Sequence, residues 1–160
     1  MKQPQTIEEE KEKALKYAYR ILRMRIKTYF EIEQKLKQRK NEPEIIQYVI
    51  KKLEEQGLLN DKKFAEAWIK DRLYFHPCGR LLINKKLREK GIDEKIIKKT
   101  LDKFLPPEKE KKIAMEILKQ KKKKKKSDLP KEKIFQKLNM FLSGKGFSSE
   151  IVYETLKKLN

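Results

Sequence analysis

One apolar ladder recurs three times in this chain and constrains it more than any other feature. In each copy a leucine is followed by apolar residues nine, ten, fourteen and seventeen positions later. The copies are Leu36 with Ile45, Ile46, Ile50 and Leu53; Leu87 with Ile96, Ile97, Leu101 and Phe104; and Leu142 with Ile151, Val152, Leu156 and Leu159. The last four positions of each copy follow helical spacing. A unit that repeats in this way predicts a short array of similar helical modules, an architecture that offers an extended surface for gripping something long.

Composition supports helix. Leu, Ile, Val and Phe supply 43 of the 160 residues, enough to build a core, and only two of these are Val. Leu, Lys, Glu and Gln favour helix, whereas strands favour Val, Thr and aromatics. The expected fold is all-α, an elongated array of three tandem three-helix repeats and about nine helices. The expected domains are residues 1–56, 57–106 and 107–160. The third holds a lysine-rich insertion at 121–126, because Ala14 and Ala65 each precede their repeat leucine by 22 residues and Ala114 precedes Leu142 by 28.

Local signals set the helix ends. Thr6 with Glu9 and Thr28 with Glu31 have the form of capping boxes. Leu15, Ala18, Leu22 and Ile26 predict a buried stripe on the first helix, with Lys13, Lys16, Arg20, Arg23 and Lys27 on the opposite face. The second helix is expected to run to about Lys40, and Pro43 fits the first turn of the third. Gly57 and Gly91 are placed to end helices. Asn60, Asp93 and Ser148 are placed to cap them. Leu59 and Phe64 have the spacing of a hydrophobic staple. Tyr17 and Trp68 share one slot in successive repeats, suited to core packing or to base stacking. Tyr29, Phe30, Tyr74 and Phe75 flank helix ends, and the pattern does not place them.

The formal net charge of +19, from 43 Lys and Arg against 24 Asp and Glu, suits a polyanionic partner. A lysine-rich surface without a specific partner gives the same number. The six lysines Lys121, Lys122, Lys123, Lys124, Lys125 and Lys126 predict a frayed, polyanion-gripping arm, since adjacent like charges oppose helix formation. Nothing predicts catalysis. His76 and Cys78 are the only residues of their types, too few for a zinc cluster or a disulfide, and no Gly-rich phosphate loop is present. No metal, cofactor or small-molecule substrate is expected. The absence of an apolar leader or a membrane-length run predicts a cytoplasmic protein that does not engage membrane.

The stretch Gly57-Leu58-Leu59-Asn60-Asp61-Lys62-Lys63-Phe64-Ala65-Glu66-Ala67-Trp68, followed by Arg72, Gly79, Arg80 and Leu87-Arg88-Glu89-Lys90-Gly91-Ile92, resembles the RecX family. Residues 14–36 are similar to that family's first repeat, with its usual Arg-x-x-Ser-x-x-Glu-Leu loosened to Arg25-Ile26-Lys27-Thr28-Tyr29-Phe30-Glu31-Ile32. The marked positions Gly57, Leu58, Asn60, Asp61, Phe64, Ala65, Trp68, Leu87, Lys90 and Gly91 read mainly as structural.

The resemblance implies a non-catalytic, monomeric modulator of the RecA recombinase, most simply a negative regulator. It would lodge in the groove of the RecA–DNA filament, single-stranded DNA included. There it would limit filament growth, ATP hydrolysis, strand exchange and co-protease activity. Arg20, Arg23, Arg25, Lys27, Arg72, Arg80 and Arg88 are the expected partner-facing residues, with the lysine run. The run departs from the family pattern and adds an expectation of direct DNA contact. The alternative is a basic DNA- or RNA-binding helical-repeat protein with no RecA specificity. Against groove-reading helices stand the acidic residues Glu44, Asp61 and Glu94 at helix starts.

Overall fold

The computed structural model describes residues 4–124 and 128–158. Among them are nine helices and no strand: α1 (Ile7–Met24), α2 (Tyr29–Gln38), α3 (Pro43–Glu55), α4 (Asp61–Phe75), α5 (Arg80–Glu89), α6 (Glu94–Phe104), α7 (Pro107–Lys124), α8 (Lys131–Gly144) and α9 (Ser149–Lys157). The fold is all-α, as the ladder predicts. Lys125, Lys126 and Leu159 lie outside the described residues.

The caps follow the sequence closely. Thr6 and Thr28 each form a complete capping box with the glutamate three residues on. Pro43 occupies the first turn of α3. Asn60 Oδ1 accepts the Lys63 N–H at 3.0 Å, and the Ser148 hydroxyl accepts the Ile151 N–H. These groups satisfy backbone donors that a helix start otherwise leaves open.

The chain forms two compact units. One is Met1–Phe64 with Glu89–Asp93, the other Ala65–Arg88 with Glu94–Asn160. In the first, Ala14 and Ala18 of α1, Ile32 and Leu36 of α2, and Ile45, Ile46, Val49, Ile50 and Leu53 of α3 make one core. In the second, Ala114, Leu118, Leu142, Phe147, Ile151, Val152 and Leu156 join α7, α8 and α9 in the same manner. The repeat leucines Leu36, Leu87 and Leu142 are fully buried. Ile96 and Phe104 are only half-buried.

Several family-motif residues form a joint, and the joint occurs twice. In the first unit the buried Thr28 hydroxyl donates to the Lys90 carbonyl at 2.7 Å. The Tyr29 N–H donates to Asp61 Oδ1 at 2.9 Å, and Lys90 Nζ pairs with Glu31 Oε1 at 3.1 Å. In the second unit the Gly79 N–H donates to the Lys145 carbonyl at 2.9 Å. The Arg80 N–H donates to Glu110 Oε1 at 2.8 Å. Gly79 and Arg80 stand 51 residues after Thr28 and Tyr29, Lys145 stands 55 after Lys90, and Glu110 stands 49 after Asp61. These are the repeat offsets, so each joint ties the start of one α-helix to a carboxylate and a turn from the following repeat.

Glycine is required at both turns. Gly91 has φ +73° and Gly146 φ +84°, the left-handed region that L side chains enter at a cost. A Cβ on Gly91 would collide with the Phe30 side chain, and one on Gly146 with Leu82. The matching position of the first repeat is Lys40, also at positive φ (59°) but exposed, so its Cβ has room.

Three expectations need correction. Ile26 is not in the buried stripe: α1 ends at Met24 and Ile26 is 59% exposed. The extended Arg25 cap turns the chain away before the periodicity reaches it. Helix α2 stops at Gln38, short of Lys40, where the left-handed turn begins. Lys121, Lys122, Lys123 and Lys124 continue α7 as its last helical turn, where a frayed stretch is expected. Lys121 Nζ lies 4.6 Å from the centre of the Phe141 ring, an interaction that offsets part of the repulsion between neighbours.

Candidate partner-binding surface

The sequence-predicted basic residues divide by whether their charge is already engaged. Arg20, Arg23 and Arg25 are exposed on the last turns and cap of α1. Arg25 makes a long approach to Glu31, 4.0 Å. Arg20 and Arg39 place their guanidinium carbons 5.4 and 4.3 Å from the centre of the Tyr17 ring, which is half-buried and thus taken up by its own repeat. Lys27 is half-buried, and burial together with the nearby Arg25 charge lowers its pKa.

In the second unit the arginines are differently used. Arg80 bonds Asp102 at 2.6 Å and the Leu105 carbonyl at 3.2 Å, so its fork closes the C-terminal end of α6. Asp102 is held below the usual carboxylate range by Lys98 and Arg80. Arg88 pairs with Glu94 at 3.5 Å on an open surface. Arg72 lies with its guanidinium carbon 6.0 Å from the Trp68 ring, and its buried Nε has no hydrogen-bond partner among the described residues. Of the lysine run, Lys122, Lys123 and Lys124 are exposed.

Periodicity does not show where the large exposed apolar residues fall. Met24 (84% exposed), Ile26, Tyr29 and Phe30 surround the α1–α2 connection. Tyr74 (81% exposed), Phe75 and Leu81 surround the α4–α5 connection, with the Tyr74 and Phe75 rings edge to face at 4.9 Å. Phe75 and Leu81 stand 51 residues after Met24 and Phe30. Both connections thus leave apolar side chains in water at matching positions. Aromatic and Met side chains next to arginine are the composition of protein-binding hot spots. The 51-residue offset carries this signal in the sequence, but helical periodicity alone gives these positions no destination.

Four carboxylates near helix starts, Glu31, Asp61, Glu94 and Glu110, are occupied. Asp61 and Glu110 accept backbone N–H groups, and burial raises the pKa of each despite that hydrogen bond. Burial also pushes Glu31 up, but the Thr28 N–H and the Lys90 ammonium outweigh it and hold the pKa down. Glu94 accepts from Asn84 at 2.9 Å. Cys78 is buried at 1% exposure and His76 is exposed, so the two do not meet as nucleophile and base. Among the described residues no group of three or more His, Cys, Asp or Glu could hold a metal. No described helix is long and apolar enough to cross a membrane.

Tandem three-helix repeats with exposed apolar residues duplicated at matching positions define a helical-repeat protein. Family models describing the first and second three-helix domains of RecX match residues 14–53 and 60–101. The regulatory protein RecX of Deinococcus radiodurans is 34% identical over 117 residues, 73% of this chain and 55% of that protein. RecX of Halalkalibacterium halodurans is 33% identical over 147 residues, 92% of this chain and 54% of that protein. The chain spans about half the length of these two relatives.

The crystal structure of RecX from Lactobacillus salivarius has the same fold, with a TM-score of 0.86, 24% identity, and coverage of 96% of this chain and 98% of that one. Another regulatory protein RecX structure gives a TM-score of 0.79 at 27% identity, covering 99% of this chain and 81% of that one. The chain belongs to the RecX family of regulatory proteins.

Proposed function

We propose that this protein regulates RecA by binding the RecA–DNA filament, as a monomer, in the cytoplasm and without catalysis or cofactor. It lodges in the filament groove and limits filament growth, ATP hydrolysis and strand exchange. Its three repeats, 1–56, 57–106 and 107–160, act as successive grips on a helical partner.

The recurrence of exposed apolar residues at a 51-residue offset, Met24 with Phe75 and Phe30 with Leu81, supports this most directly. A partner that itself repeats along its axis is matched by a surface that repeats along the chain. Arg20, Arg23 and Arg25 supply exposed charge beside the first of these patches. Arg80 serves the fold, through Asp102, more than it serves a partner. A reading of DNA by helices inserted in the groove is disfavoured, because Asp61 and Glu94 at the starts of α4 and α6 are acidic and already bonded.

Titration into RecA on single-stranded DNA, with ATP hydrolysis as readout, tests this. Two variants are compared with wild type: Arg23→Glu/Met24→Ala/Arg25→Glu, and Tyr74→Ala/Phe75→Ala. Each is expected to need about tenfold or more protein for equal inhibition while keeping its helical circular dichroism. Unchanged inhibition by both folded variants would remove the proposal.

A further inference from the structure

Helices α7 and α8, both in the second unit, border a cleft of about 250 Å³. Its lining is Leu129, Ile134, Leu138 and Phe141 together with Lys121, Lys122 and Lys137. Among the described residues no carboxylate lines it. The half-buried Phe141 ring has the Lys121 ammonium 4.6 Å and the Lys145 ammonium 5.8 Å from its centre. From Lys119 to Lys145 the chain carries eleven lysines against two carboxylates, Asp128 and Glu132. The surplus comes largely from the six-residue insertion that only the third repeat has.

We propose that this cleft binds single-stranded nucleic acid directly, taking a base against Phe141 while Lys121, Lys122 and Lys137 hold the flanking phosphates. The site needs a ligand that is flat and apolar on one part and anionic on either side, and an unpaired nucleotide has that form. The Lys121 ammonium lies over the Phe141 ring in the free chain, so a base takes that π-face as Lys121 swings to a flanking phosphate, and the aliphatic neighbours carry no side-chain group to read a base edge. Binding is therefore sequence-tolerant. The cations are lysines, point charges on flexible stems that follow phosphates without demanding a fixed bidentate geometry. A duplex cannot use the site fully, because its bases are already stacked and paired. An acidic peptide could satisfy the lysines, but it would not call for an aromatic floor flanked by two ammonium groups.

This inference goes beyond RecA regulation and does not depend on it. The test therefore omits RecA and uses the full chain. Anisotropy of a fluorescein-labelled thymidine homopolymer is measured across a salt series, beside a matched duplex. A second oligonucleotide carrying 5-iododeoxyuridine is photocrosslinked and the attachment site is mapped. Expected are tighter binding of the single strand than of the duplex and a crosslink at Phe141. The Lys121→Gln/Lys122→Gln/Lys137→Gln variant should lower the log–log salt slope by about 2, since each phosphate that a lysine neutralises adds ~0.7 to the slope for a single strand.

Ile134→Glu, a half-buried position on the cleft wall, should remove the preference for single strands and spare the fold. Equal affinity for duplex with no crosslink in the cleft would overturn the proposal, leaving the lysines as a general phosphate-binding surface. So would an acidic amphipathic peptide that occupies the cleft in preference to the oligonucleotide. Neither result bears on RecA inhibition, which is measured separately.

Discussion

Glu110 shows how one side chain can serve the fold at a cost. It is 3% exposed and accepts the Arg80 N–H, yet burial raises its pKa. A carboxyl whose folded pKa lies above its unfolded one binds a proton more tightly in the fold. Its ionised form therefore costs stability above the raised value, and that cost disappears as pH falls toward the ordinary carboxylate range. Glu110→Gln keeps an acceptor without the charge, so it should be at least as stable as wild type at pH 7.5. Its advantage should shrink by pH 4.5 in urea unfolding followed by circular dichroism. Glu110→Ala leaves the Arg80 N–H without its partner and should cost about 1–3 kcal/mol at both pH values. Glu31 has the opposite sign: its lowered pKa gives stability above the unfolded carboxylate value that is lost as pH falls through the folded one. The capping role of Glu31 is legible in its spacing from Thr28. Nothing in the sequence marks the Arg80–Glu110 bond, whose partners are 30 residues apart.

At the scale of elements, the turn after the second helix of each repeat is the same device in two settings. Lys40, Gly91 and Gly146 all take positive φ. At Gly91 the left-handed backbone also presses on Phe30, so Gly91→Ala should cost about 2–4 kcal/mol, combining backbone strain with overpacking. At Lys40 only the backbone strain applies, so Lys40→Gly should stabilise by about 0.5–1 kcal/mol. Equilibrium denaturation of the two variants checks both signs. Helix ends are readable from Thr6, Thr28, Asn60 and Ser148 because capping depends on residues two or three positions apart. The run from Lys121 to Lys124 defies its local pattern for the converse reason. Like-charge repulsion is local, but the Phe141 ring that opposes it comes from another helix.

Across the molecule, Leu36, Leu87 and Leu142 are equivalent in sequence and in burial, each at 0% exposure. Leu→Ala at any of the three should cost about 2–5 kcal/mol, the range for a large side chain removed from a close-packed core. Denaturant unfolding of all three variants reads this directly, and a cost well under that range at one site would mean that its repeat contributes little to the fold. The ladder, most helix limits, the all-α class and the family resemblance were determined by the sequence alone, because each rests on spacing within a few helical turns or on repetition along the chain. Tertiary structure decided that Arg80 is engaged by Asp102, that Gly91 faces Phe30, that Ile26 and Phe75 remain in water, and that lysines rim an apolar cleft beside Phe141. Each of these depends on which side chains other elements bring to the same place, and no periodicity within a single helix contains that information.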